Sequence, residues 1–167
     1  MNDILKNIFL FFLLVFVQVI VFNNILFWGY LNPLPYILFI IVYPLKKDRG
    51  FFLIISFLLG LCIDFFMDSG GINAAATLFI AYIRLPLLKS LLRKTDIDFA
   101  LFNVGKLPFT KLMSYIAILT FSHHFLIYYL EYFKLSSLGT VFLRAFSTGI
   151  FTIILLIFSL ILMNKSK

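Results

Sequence analysis

The feature that most constrains this chain is a succession of apolar blocks, each roughly 15 to 24 residues long, separated by short polar interruptions. A helix rises about 1.5 Å per residue, so the longer blocks match the ~30 Å of hydrocarbon in a bilayer. Of the 167 residues, 63% are hydrophobic and 13% charged, which is more apolar surface than one soluble core of this size can hide. The expected fold is therefore an all-α integral membrane protein, a compact bundle of about six transmembrane helices with short loops. The hydropathy pattern places them at about residues 6–28, 32–45, 51–67, 72–92, 112–132 and 139–163, and makes 1–167 a single polytopic membrane domain. The first block, Ile8 to Phe27, is longer than a signal-peptide core and has no small-x-small pattern before Asn23-Asn24, so a retained helix is expected. Trp28 and Tyr30 follow it, where aromatic rings favour the membrane interface.

A net charge of +7 could indicate nucleic acid, but such binding needs a soluble basic surface, and this pattern leaves none. The charge reads better as topology. With a cytoplasmic N-terminus, Lys6, Lys46, Lys47, Arg49, Lys89, Arg93, Lys94, Lys106, Lys111, Lys165 and Lys167 collect inside and only Lys134 outside. Arg84 and Arg144 fall within helices. Both termini are then cytoplasmic, in a multi-pass membrane protein. The second block is short and carries Pro33, Pro35 and Pro44. It suits a short helix buried among longer ones, or else a re-entrant segment that would place the N-terminus outside. Cys62 is the only cysteine, so an intrachain disulfide and a cysteine-type zinc site are both excluded.

The most informative stretch is Gly60-Leu61-Cys62-Ile63-Asp64 through Met67-Asp68-Ser69-Gly70-Gly71-Ile72-Asn73-Ala74-Ala75-Ala76. It reads as a helix end, a tight turn and a new helix start. Gly70 and Gly71 allow the positive backbone angles of a sharp reversal, and the alanines allow close helix approach. Gly60 and Asp64 are four apart and share a face, so the carboxylate lies beside a bare stretch of backbone. An acidic group in a membrane helix costs a few kcal/mol unless it is paired or watered. By depth along the helices, Arg144 is the expected partner of Asp64, with Asp68 or Glu131 able to share it. Arg84, near the other end of its helix and followed by Pro86, is expected to snorkel toward the inner headgroups.

His123 and His124 are adjacent on the fifth helix, about 100° apart, and so cannot chelate one ion together. At least one should hydrogen-bond across the bundle to a group such as Gln18 or a serine. No metal, cofactor or catalytic constellation is signalled, and the chain is expected to be non-enzymatic. Between the fourth and fifth helices, Thr95 and Asp98 resemble a capping box, with Gly105 and Pro108 ending a short interfacial helix. Its Phe99, Phe102 and Leu107 would rest in the inner-leaflet boundary, beside lysines that meet anionic lipid, unless the segment docks a cytoplasmic partner.

Gly60-Leu61-x-x-Asp64, Gly71-x-x-Ala74 and Tyr82, the prolines of Asn32-Pro33-Leu34-Pro35 and the turn Lys46-Lys47-Asp48-Arg49-Gly50 together resemble the bacterial rod shape-determining protein MreD family. The resemblance implies a non-enzymatic membrane component of the cell-elongation machinery. Such a protein binds the bitopic protein MreC and links the actin-like MreB filament to the peptidoglycan synthase RodA and its penicillin-binding transpeptidase. It carries over Gly60, Asp64 and Gly71 as motif positions, with no chemistry assigned to them. A different class fits the same helical pattern, the substrate-binding membrane subunit of an energy-coupling-factor transporter. In that reading Asp64, Asn73, Glu131 and Arg144 would converge on an outer-facing pocket.

Overall fold

The computed structural model describes residues 3–25, 31–45, 49–93 and 102–165. Five long helices account for most of it: α1 (Asp3–Ile20), α3 (Gly50–Met67), α4 (Ile72–Leu92), α5 (Phe109–Tyr132) and α6 (Leu138–Lys165). Spans long and apolar enough to cross a membrane occur in all five. Their outward faces are apolar, with Phe9, Phe65 and Phe158 at 62%, 82% and 60% exposure, whereas Gln18, Asp64, Asn73, Arg84, His123 and His124 are buried. Polar residues inside and phenylalanines outside is the arrangement that lipid, not water, stabilises.

The second block departs from the expected helix over 32–45. It is helical only at Pro35–Ile37, as a 3-10 turn, and at α2 (Leu38–Val42), with non-helical chain on either side. Eight residues of helix cover about 12 Å, too little to span hydrocarbon alone. Pro35 starts the turn, where a missing N–H is harmless, and Pro44 follows α2 and prevents its continuation. Instead of facing lipid, the segment is enclosed by the other helices, and Tyr36, Ile37, Ile40 and Ile41 are fully buried.

This segment still runs along the bundle from one end toward the other. Tyr36 bonds Asn73 in the first turn of α4, while the Tyr43 carbonyl bonds Arg84 far along the same helix. It therefore enters at one end of the bundle and leaves at the other, as a re-entrant segment would not. The pairs α3/α4, α4/α5 and α5/α6 are antiparallel, as shown by Asp64 against Ala74, Arg84 against Tyr115 and His124 against Thr152. Ile4 and Asn7 of α1 share a groove with Tyr43 and Phe51, so α1 begins where α3 begins. Consequently the start of α1 and the finish of α6 lie at the same end of the bundle. That end carries Lys6, Arg49, Lys89, Arg93, Lys106 and Lys111 and is called the basic end below; the α3–α4 turn marks the hairpin end.

Helices α3 and α4 approach most closely at Gly60. A Cβ there would collide with Thr77 Oγ1, Ala74 Cα and the Asn73 carbonyl oxygen, two of which are backbone. The turn itself uses positive φ at Asp68, Gly70 and Gly71, of 52°, 64° and 94°. Of the connection between α4 and α5, Thr95, Asp98 and Phe99 lie outside the described residues, as do Trp28 and Tyr30. Phe102 and Leu107 pack against the core, and Val104–Lys106 forms a 3-10 turn in which Asn103 Oδ1 accepts from the Gly105 N–H.

Gly60→Ala is expected to lower stability by about 1–3 kcal/mol through overpacking. Gly139→Ala, where a Cβ meets nothing within 4 Å, should be neutral or slightly stabilising. Thermal unfolding of both variants in mild detergent checks the contrast.

Candidate functional site

The candidate site is a buried polar spine that runs the length of the bundle on both sides of the enclosed segment. Its upper part is organised by Asp64. Oδ1 accepts from the Ser69 hydroxyl at 2.5 Å, the Asn73 N–H at 2.9 Å and the Asn73 Nδ2 at 3.0 Å, and Oδ2 accepts from the Ala74 N–H at 2.7 Å. The carboxylate thus takes up the free N–H groups at the start of α4, where the helix dipole also favours negative charge. Gly71, the N-cap residue of α4, has no side chain to cap the helix, and Asp64 does so from the preceding helix.

The direction of the neighbouring bonds follows from that charge. A carboxylate can only accept, so the Asn73 amide turns its NH2 toward Asp64 and its Oδ1 away. Tyr36 O–H donates to that Oδ1 at 2.7 Å, and the Tyr36 oxygen in turn accepts from His123 Nε2 at 3.1 Å. The result is a directional chain, His123 to Tyr36 to Asn73 to Asp64, linking α5, the central segment, α4 and α3. His123 Nδ1 has no partner.

His124 makes a second link. Its Nδ1 lies 3.0 Å from the Thr120 carbonyl oxygen, which can only accept, so Nδ1 carries the proton; Nε2 lies 3.0 Å from the Thr152 hydroxyl, whose single proton it shares with the Thr148 carbonyl at 2.9 Å. The Thr152 oxygen also accepts the Leu34 N–H at 3.1 Å, which ties α6 to the central segment. On the α1 side, Gln18 Nε2 donates to the Pro33 carbonyl at 3.3 Å and to Asn23 Oδ1 at 3.0 Å. Both histidines therefore bond across the bundle, to Tyr36 and Thr152 in place of Gln18 or a serine.

The lower part of the spine is organised by Arg84, 1% exposed. Its Nη2 donates to the Ile41 and Tyr43 carbonyl oxygens at 3.2 and 2.5 Å, its Nε donates to the Tyr115 hydroxyl at 2.8 Å, and its Cζ lies 5.1 Å from the Phe52 ring centroid. Tyr43 stacks on that same ring at 5.0 Å. The expectation that Arg84 snorkels to the headgroups is corrected. Because α2 stops before Pro44, its last carbonyls lack helical N–H partners, and the planar guanidinium supplies donors and a positive charge at the helix C-terminus.

The expected Asp64–Arg144 contact is also corrected. Arg144 lies against α5, its Cζ 5.5 Å from the Tyr132 ring, while every bond given for Asp64 stays within the α3–α4 hairpin. Depth alone suggested the pair, but rotation about the helix axis decides which neighbour a side chain meets. Asp64, Gly60 and Gly71 do come together, and Arg144 does not join them. Ser69, Tyr36, Tyr115 and Thr152 are the partners that sequence reasoning missed, and Asn73 was grouped with Asp64 only in the transporter reading. One signal was present for Asn73: a turn at Gly70-Gly71 sets the uncapped start of α4 opposite a carboxylate six residues before the turn.

The fold and spine define a polytopic helical membrane bundle with a buried, side-chain-capped central segment. No protein-family model matches the chain, and comparisons with curated proteins and with solved structures yield no significant match.

Asp64→Ala should cost on the order of 3 kcal/mol, by leaving buried donors unpaired, and Asp64→Asn less. Arg144→Ala should cost under about 1 kcal/mol, and the Asp64→Asn, Arg144→Ala double variant should be additive within about 0.5 kcal/mol. Arg84→Lys should lose about 2 kcal/mol, because a point charge cannot fork to two carbonyls and a hydroxyl. Unfolding in a detergent titration measures all five variants.

Proposed function

We propose that this chain is a non-enzymatic scaffold of the bacterial rod complex, an MreD-like component of the cell-elongation machinery that serves cell shape and peptidoglycan synthesis. It sits in the inner membrane with its basic end and both termini in the cytoplasm, following the positive-inside rule. Its partners in this reading are an MreC-like bitopic protein and, through it or beside it, MreB, RodA and a penicillin-binding transpeptidase. The resemblance in the Gly60–Ala74 stretch motivates the proposal. The observation that carries it is that Asp64, the most conspicuous charge in that stretch, is used up in joining α3 to α4.

The transporter-subunit alternative needs Asp64, Asn73, Glu131 and Arg144 to present free polar groups to a ligand. Asp64 and Asn73 are instead occupied with each other and with Ser69, Ala74 and Tyr36, and Arg144 lies against Tyr132. A body whose buried polar groups mostly hold its helices together suits a scaffold, which must keep its lipid-facing and end surfaces in fixed relation.

Affinity purification of the tagged chain from its native membranes in mild detergent, followed by mass spectrometry of proteins and small molecules, tests the reading. Recovery of a single-span periplasmic coiled-coil protein with wall synthases is the expected result. Recovery of ATPase subunits or a stoichiometric vitamin would overturn it in favour of transport. A periplasmic reporter signal from a fusion at Met1 would overturn the assigned orientation.

A further inference from the structure

Two cavities flank the chain as it leaves α2 at the basic end, and they meet at Pro44. One is small and cationic, lined by Pro44, Leu45, Arg49, Phe52, Arg84 and Leu85. Arg84 is part of its wall, and the Arg84 Nη1 is buried and has no hydrogen-bond partner. Among the described residues the other bonds of Arg84 go to neutral groups, Ile41 O, Tyr43 O and Tyr115 Oη, and no carboxylate among them pairs with its charge. Such a charge is stabilised by an anion that can reach it.

The second cavity is an apolar groove of about 460 Å³ between α1 and α3, lined on its two walls by residues such as Ile8, Phe11, Phe12, Phe51, Ile55 and Leu58 and floored by Phe39 and Tyr43. Phe51 and Phe52, adjacent on α3, face the groove and the cationic pocket respectively. An anion site and an apolar groove that share Pro44 match the two parts of one amphiphile.

We propose that the basic end of the bundle binds one anionic phospholipid. A headgroup phosphate oxygen accepts from Arg84 Nη1 with Arg49 alongside, and an acyl chain lies in the α1–α3 groove. The cationic pocket is too narrow for a whole phosphate, so a single oxygen enters and the rest of the headgroup stays at the surface with Arg49. The basic residues gathered at this end place it at the leaflet richest in anionic lipid. This inference rests on the orientation given under the proposed function, with the basic end in the cytoplasm, and not on the scaffold role.

Native mass spectrometry of the detergent-purified full chain, titrated separately with dioleoylphosphatidylglycerol, dioleoylphosphatidylcholine and inorganic phosphate, tests it. The expected result is one phosphatidylglycerol retained per chain in preference to phosphatidylcholine, with phosphate alone giving no adduct. Arg49→Gln should weaken phosphatidylglycerol retention about fivefold and remove the preference over phosphatidylcholine. Ile55→Trp, which fills the groove, should weaken retention of both lipids. Both substitutions lie on partly exposed positions, and an unchanged melting temperature without lipid verifies the fold. Equal retention of the two lipids by the unsubstituted chain would overturn the proposal. So would a phosphate adduct that competes with phosphatidylglycerol, which would indicate a free-anion site. A dimer lost on Ile55→Trp, with no lipid retained, would assign the groove to a second copy instead.

Discussion

Chain that crosses a bilayer without being fully helical leaves N–H and C=O groups that water cannot reach, and each costs several kcal/mol if unmet. The segment from Leu31 to Leu45 is such chain, and the rest of the molecule is arranged around meeting its needs. Gln18 of α1 serves the Pro33 carbonyl, Thr152 of α6 serves the Leu34 N–H, and Arg84 of α4 serves the Ile41 and Tyr43 carbonyls. The partners, two donors and one acceptor, come from three different helices, so the segment acts as an internal staple. Displacing any of those helices would strand a backbone group in hydrocarbon.

Two buried charges of the interior, Asp64 and Arg84, stand well apart along α4 and serve helix termini, not each other. Asp64 caps the start of α4, and Arg84 caps the finish of α2. Each is met by several oriented dipoles, which for Asp64 take the place of a counter-ion and for Arg84 leave Nη1 unpartnered. Gly60 makes the first arrangement possible, since only a bare Cα lets α3 come close enough for its carboxylate to reach the α4 N–H groups. The chain from Asp64 through Asn73 and Tyr36 to His123 then couples that hairpin to the central segment and to α5. Bonds polarised in one direction by a charge reinforce one another, so this layer holds a single register between the helices.

Much of the architecture was legible in the sequence. Five of the six expected passes are long helices, and the α3–α4 reversal lies at Gly70-Gly71. The sixth pass, 32–45, was legible as anomalous from its length and prolines, and its enclosure by the other helices accords with a short buried element. Its limited helical extent was not legible, because Leu38 to Val42 has the same apolar character as the non-helical residues around it. The site was read less completely. Asp64 stood out because carboxylates are rare in apolar blocks, whereas Tyr36, Tyr115 and Thr152 did not, since tyrosine and threonine are ordinary constituents of membrane helices.

What the sequence alone determined here is what depends on local runs: embedding in a bilayer, the long spans, the tight turn and the gathering of basic residues at alternate interruptions. These follow from hydropathy, helix rise and glycine placement, which act over a few tens of residues. Only the tertiary structure decided which donor meets which acceptor. Depth along a helix can be counted from sequence, and it assigned Arg144 to Asp64 and Arg84 to the headgroups. Azimuth cannot be counted in the same way, because in a bundle with polar groups on several faces it is set by the packing of all neighbours together. The open carbonyls of Ile41 and Tyr43, which fixed the place of Arg84, came into being only when α2 stopped short inside the bundle.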